Sequence, residues 1–340
     1  MASAHPSQGL PSGMDPSMVD EYASQSKLLQ EFVKIPSIGK AWVFTSKDEN
    51  ASRAMVSVSQ SDLLANKKRS FLLNTHISKG SSKSASFQWS PFPVEMSGVS
   101  AVVPSPSGEK LLLVRNAEDD DSPTKLEIWG PCQLENEIHV ARSVHGSLYA
   151  DGWFEGISWN QEGSSQKDYR SWKGQGDTED NWGETYSNKR IPALFVANIT
   201  SGEVRALKGI PRSLSAGQVI WAPSSSYSLV FVAWSDDNGF QETPRKLGIK
   251  YCYNRPCALY AAADPFKEEA DKPSIDSNKG DTAALVKLTA DLSSAFFPRF
   301  SPDGKYLVFI SAKSAVDSGA HNATNSMHKI DWLTSVSMAF

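Results

Sequence analysis

Phe296-Phe297-Pro298-Arg299-Phe300-Ser301-Pro302-Asp303-Gly304-Lys305-Tyr306-Leu307-Val308-Phe309 is the stretch whose reading decides the fold. An apolar strand runs into Ser-Pro-Asp-Gly, and a second apolar strand leaves it. Pro302 fixes φ at the entrance of the turn and Gly304 accepts a positive φ at its end, so the segment reads as a hairpin. The same template recurs. Val99–Val103 lead into Pro104-Ser105-Pro106-Ser107-Gly108, and Leu111–Val114 follow. Gln218–Trp221 lead into Ala222-Pro223-Ser224-Ser225, and Leu229–Val232 follow. A fourth copy, Gly156-Ile157-Ser158-Trp159-Asn160, begins but no apolar strand follows it until Ile191. This unit reads as if its second strand were deleted.

Further hairpins lie between the copies. Leu194–Ile199 and Glu203–Leu207 flank Thr200-Ser201-Gly202, and Ala258–Ala261 can pair with Leu285–Leu288 across the polar segment 264–281. Ala41–Thr45, Ala54–Ser59, Ser70–His76 and Ser97–Val103 read as further short strands. Repeated strand–turn–strand units with uneven insertions between them are the pattern of propeller blades. The expected fold is all-β: a partial, incomplete β-propeller with about four recognisable blades over residues 41–332. Residues 1–16 are rich in Ser, Pro, Ala and Gly and read as a disordered arm; residues 333–340 read as a divergent tail.

Residues 17–35 break the β pattern. Val19, Tyr22, Leu28, Leu29, Phe32 and Val33 fall mostly at helical spacing over 18–34, with Ser17 as N-cap and Pro36 as the stop. This N-terminal amphipathic helix is expected to dock on something, so Val19, Tyr22, Leu28, Leu29 and Phe32 are the candidate partner contacts.

Composition narrows the function. Lys and Arg number 34 against 38 Asp and Glu, a net charge of -4 over 340 residues. No basic excess exists to release counterions, which argues against a general nucleic-acid binder. Apolar runs such as Leu229–Trp234 are far short of the ~20 residues a membrane span needs. Three cysteines are too few for a disulfide framework and point to a reducing compartment. Cys252 and Cys257 are spaced C-x4-C without a second ligand pair, so they read as small buried hydrophobes in a strand at 251–260 rather than as a metal site. Neither metal nor cofactor is expected.

The chemistry of acyl transfer needs a nucleophile on a strained turn, a base and an oxyanion hole. The G-x-S-x-G pentapeptide of α/β-hydrolases is absent from the sequence, and Gly156–Asn160 lacks its last Gly. His145, Asp151 and Ser158 are near in sequence but not in that strand–helix context, so no catalytic residue is assigned. Ser171–Arg190 is an acidic stretch in which Trp172 and Trp182 bracket Asp177, Glu179 and Asp180. It reads as a surface loop, with those five residues as candidate contacts at a pore or loop. The basic run Asn66–Arg69 reads as a solvated hairpin turn.

Four blocks of text give a more specific reading. Tyr22–Phe32 (YASQSKLLQEF), Phe92–Ser100 (FPVEMSGVS), Asp151–Trp159 (DGWFEGISW) and Lys246–Arg255 (KLGIKYCYNR), in that order, resemble plant acylamino-acid-releasing enzymes (acylaminoacyl-peptidases) of the prolyl oligopeptidase family. The resemblance covers roughly residues 18–332. It implies a serine exopeptidase that removes N-acylated amino acids from blocked peptides, is cytoplasmic and self-associates. In such enzymes an N-terminal propeller restricts access by size, an α/β-hydrolase domain supplies Ser, Asp and His, and the N-terminal helix contacts that domain. The chain departs from the pattern after Asn160 and after Trp332, which suggests an alternative transcript or a misread gene structure. The expectation is therefore the propeller part of such an enzyme, non-catalytic alone. Two other readings stay open: a propeller scaffold for protein partners, and a subunit that works with a full-length enzyme in trans.

Overall fold

The computed structural model describes residues 19–45, 48, 50–63, 65–80, 84–115, 122–141, 157–159, 192–211, 213–223, 228–235, 248–249, 252–263, 285–321 and 323–332. They fall into two compact units, residues 1–98 and 99–340. The expected arm 1–16, the tail 333–340 and most of the stretch after Asn160 lie outside the described residues.

The first unit begins with helix α1 (Val19–Val33), followed by an antiparallel meander: β1 (Ser37–Thr45), β2 (Ala51–Asp62), β3 (Lys67–Lys79) and β4 (Ala85–Trp89), with the short β5 (Val94–Glu95) added to β3. Asn66 takes a positive φ of 48° in the β2–β3 turn, where Asp62 pairs with Lys67. The basic run therefore sits at a hairpin. Its Arg69 is engaged as well: Nε and Nη2 donate to the two Glu95 carboxylate oxygens at 2.7 and 2.6 Å across the β3–β5 pair. That fork holds the Glu95 carboxyl below its ordinary pKa.

The second unit is built from the repeat. Its first sheet is β6 (Val99–Pro104), β7 (Leu111–Arg115), β8 (Thr124–Trp129) and β9 (Leu134–Val140). Next come β10 (Phe195–Ala197) and β11 (Val204–Ala206), joined through Gly202 at φ 75°. The third sheet is β12 (Leu214–Trp221), β13 (Leu229–Ser235), β14 (Cys257–Ala262) and β15 (Val286–Lys287). The fourth is β16 (Phe296–Phe300), β17 (Tyr306–Ser311) and β18 (Ser326–Asp331), with the short helix α2 (Lys313–Ser318) between the last two. Each sheet pairs its strands antiparallel in chain order, as propeller blades do.

Three apolar clusters lie between successive sheets. One joins Leu112, Val114, Leu126 and Ile128 of the first sheet to Ile157, Trp159, Ile199 and Val204. A second joins Leu194 and Leu207 to Leu229, Phe231 and Ala233 of β13. A third joins Val230, Val232 and Trp234 of β13 to Phe296, Leu307 and Phe309 of the fourth sheet. Alternate side chains of β13 thus enter opposite clusters. A strand sandwiched between two blades must be apolar at every position, which is why Leu229–Trp234 carries no polar alternation. Three copies of the sequence repeat fall in the first, third and fourth sheets, and Ile157 and Trp159 of the fourth copy pack beside Ile199 and Val204 without forming a strand, so the all-β, four-blade expectation holds.

The repeat is also a repeat of hydrogen bonds. In the β16–β17 turn the Gly304 N–H donates to Ser301 O and the Tyr306 N–H donates to Ser301 Oγ at 3.0 Å. In the β6–β7 turn the Gly108 N–H donates to Ser105 O and the Lys110 N–H donates to Ser105 Oγ at 3.0 Å. Gly304 is required twice over: φ is 71°, and an added Cβ would come within 3.0 Å of the Pro223 ring in the neighbouring turn. The Ser301 hydroxyl donates to Asp303 Oδ1 at 2.6 Å, and the Lys305 N–H reaches the same oxygen, which together hold the Asp303 carboxyl below its ordinary pKa. A depressed folded-state pKa gives stability that is present above the unfolded value and lost as pH falls through the folded one. Asp303→Asn is accordingly expected to flatten the fall of the unfolding midpoint as pH drops through and below about 4, the ordinary Asp pKa.

The first strands of three blades share one irregularity. Register shifts fall between Val99 and Ala101, between Gly217 and Ile220, and between Phe296 and Arg299. These are β-bulges, and two carry non-glycine residues at positive φ: Gln218 at 50° and Phe297 at 52°. Gln218 is 1% exposed, and its Oε1 accepts the Phe297 N–H at 2.6 Å. One bulge is tied to the next.

Candidate functional site

Among the expected functional residues, those of α1 are brought together on one accessible surface. Tyr22, Leu28, Leu29 and Phe32 are 57%, 57%, 62% and 65% exposed, and of the side chains described in α1 only Val33 is half-buried. Val19 starts the helix, but its side chain lies outside the described residues, as does the expected N-cap Ser17. The helix is held at its other end. The Gln60 amide of β2 donates to Lys34 O at 2.6 Å, satisfying a carbonyl that the helix terminus leaves open. An amphipathic helix normally hides its apolar stripe. Here the stripe is exposed.

The sheet of the same unit continues this character. Val43, Ala54, Thr75 and Trp89 stand in one cross-strand row over β1 to β4. Ala54 and Thr75 are buried, whereas the row's ends, Val43 and Trp89, are 67% and 50% exposed. Sequence periodicity located the helix; it gave no sign of this rim, because β4 is short and none of its residues is buried.

The reaction-centre candidates are placed differently. Ser158 lies between two tryptophans that hold its segment in the blade interior. Trp159 Nε1 donates to Val103 O of β6 at 3.0 Å, and Trp221 Nε1 of β12 donates to Ser158 O at 3.1 Å. This segment stitches the first sheet to the third and is a packing element. His145 and Asp151 lie outside the described residues. So do Trp172, Asp177, Glu179, Asp180 and Trp182.

The cysteines divide. Cys257 is buried in β14 as expected, and burial pushes its thiol up to about 11. Cys252 departs from expectation: it is half-buried in the segment before β14, and its Sγ lies 3.0 Å from His321 Nδ1. Among the described residues no group of three or more His, Cys, Asp or Glu side chains is placed to hold a metal ion. Among them, too, no helix is long and apolar enough to cross a membrane.

The family described as "Acylamino-acid-releasing enzyme, N-terminal domain" matches residues 8–165 and 161–340. The chain is 75% identical over 351 residues to acylamino-acid-releasing enzyme 1 of Oryza sativa subsp. japonica, covering 96% of this chain and 45% of that protein. It is 53% identical to the Arabidopsis thaliana acylamino-acid-releasing enzyme, covering 94% of this chain and 44% of that protein. The chain thus spans about 45% of the length of these relatives. An alignment of 351 positions is longer than the 340-residue chain, so the rice relative carries internal residues that this chain does not. The family matches in two segments that overlap at residues 161–165, just after Asn160. Among solved structures, Pyrococcus horikoshii acylaminoacyl peptidase is similar with a TM-score of 0.46 at 15% identity, covering 88% of this chain and 39% of that one.

Proposed function

The chain belongs to the family of acylamino-acid-releasing enzyme N-terminal domains, and we propose that it is the substrate-access part of a serine exopeptidase that removes N-acylated amino acids from blocked peptides. The carrying observation is the 75% identity to the rice enzyme over 96% of the chain. In this reading the blades screen peptides by size, and a hydrolase part supplies the nucleophile, the base and the oxyanion hole. The sequence in hand has no G-x-S-x-G, and the Ser158 carbonyl accepts a packing hydrogen bond from Trp221. The chain alone is therefore proposed to be non-catalytic, cytoplasmic, independent of cofactors and self-associating.

The test is hydrolysis of N-acetyl-alanine p-nitroanilide by the purified chain. The expected rate equals the buffer blank. Turnover abolished by a serine-directed phosphonate would overturn the reading.

A second reading is favoured by the outward apolar stripe of α1: the chain works in trans with a full-length enzyme subunit. Co-purification with the full-length rice relative is then expected, and deletion of residues 18–34 abolishes it. Retention of the complex without the helix would reject α1 as the contact.

A further inference from the structure

The geometry points to Cys252 as a site of covalent modification: a thiol that His321 activates for oxidation by hydrogen peroxide. The two residues lie 69 positions apart in sequence and 3.0 Å apart in the fold, Sγ to Nδ1. Each is carried on an anchored segment. Cys252 precedes Asn254, which is buried and accepts the Gly248 N–H on its Oδ1 at 2.9 Å. His321 follows the C-cap of α2, where Gly319 takes φ 74° and donates its N–H to Ala315 O, and Ala315 is fully buried. Such anchoring holds nucleophile and base in register. A base within hydrogen-bond reach is what turns a thiol into the reactive thiolate. Cys252 is half-buried and His321 is exposed, so a small oxidant has access to the sulfur.

The step balances without further reactants. His321 takes the thiol proton, and the thiolate sulfur attacks one peroxide oxygen. The S–O bond forms as the O–O bond breaks. The departing hydroxide takes the proton back from the imidazolium and leaves as water. Sulfur is oxidised by two electrons to the sulfenic acid, and peroxide is reduced.

The protein contains its own controls. Cys132 is exposed, in the turn between β8 and β9, and Cys257 is buried with a thiol pKa of about 11. The experiment exposes the whole folded chain to hydrogen peroxide in the presence of dimedone and reads each cysteine by peptide mass spectrometry over time. Cys252 is expected to label about tenfold faster than the more exposed Cys132, with Cys257 silent until the chain is unfolded. In His321→Ala, an exposed substitution, the Cys252 rate is expected to fall to that of Cys132 or below. A Cys252 rate no higher than that of Cys132 in the unsubstituted chain overturns the proposal, and so does a rate that His321→Ala leaves unchanged.

Discussion

Phe231→Ala is expected to cost about 3–5 kcal/mol of unfolding free energy, the usual range for emptying a fully buried aromatic site. Phe231 is 0% exposed and stacks on Tyr260 of β14 with ring centroids 5.9 Å apart. It points from β13 into the cluster shared with Leu194 and Leu207, while its neighbours Val230 and Val232 point into the cluster shared with the fourth sheet. Collapse of the cavity would require one blade to slide on another, and the opposite face of β13 resists that. The site should therefore sit at the costly end of the range. Urea unfolding followed by tryptophan fluorescence measures it. Met327→Ala on β18 is the control: that side chain is 79% exposed, so its change should stay within about 0.5 kcal/mol. A Phe231→Ala cost as small as the control's would mean that the blades do not meet across β13.

The same strand shows why the sequence was informative where it was. A run that is apolar at every position states that both faces are covered, and Ser-Pro-Asp-Gly states where the chain reverses. Both signals are local, so the blades that contain them were legible. Strands β8 and β9 were not, for a physical reason. Glu127 interrupts the apolar run of β8, yet it is 8% exposed, because Arg115 Nε donates to its Oε1 at 2.6 Å and Trp129 Nε1 to its Oε2 at 2.9 Å. A buried carboxylate satisfied by Arg115 of β7 and by Trp129 of its own strand looks like a surface residue in the sequence. The apolar face of α1 was legible from helical spacing, but its exposure belongs to tertiary structure. The Cys252–His321 pair was invisible, since nothing in either segment refers to the other. The acidic Trp-bearing stretch 171–190 lies outside the described residues.

Gln218→Met is the complementary test, because it removes a bond that no sequence pattern announced. Gln218 and Phe297 occupy the bulges of consecutive blades, both at positive φ, where a side chain normally costs energy unless the surroundings enforce the conformation. The Phe297 N–H donates to the Gln218 side-chain Oε1 at 2.6 Å and so joins the two strands across 79 residues of sequence. Methionine fills nearly the same volume but offers no comparable acceptor. The Phe297 N–H, at a half-buried position, then loses this acceptor, at a cost of about 1–3 kcal/mol. The substitution is read twice. Urea unfolding should report that loss, and amide exchange should report where it falls: the Phe297 N–H, protected in the parent chain, should exchange faster by a factor of about ten to a hundred, following the same free energy. Amides of the first sheet, such as Val114, belong to a separate apolar cluster and should change less. Unaltered exchange at Phe297 would mean that each bulge is held by its own strand and that the Gln218 amide does not tie one to the next.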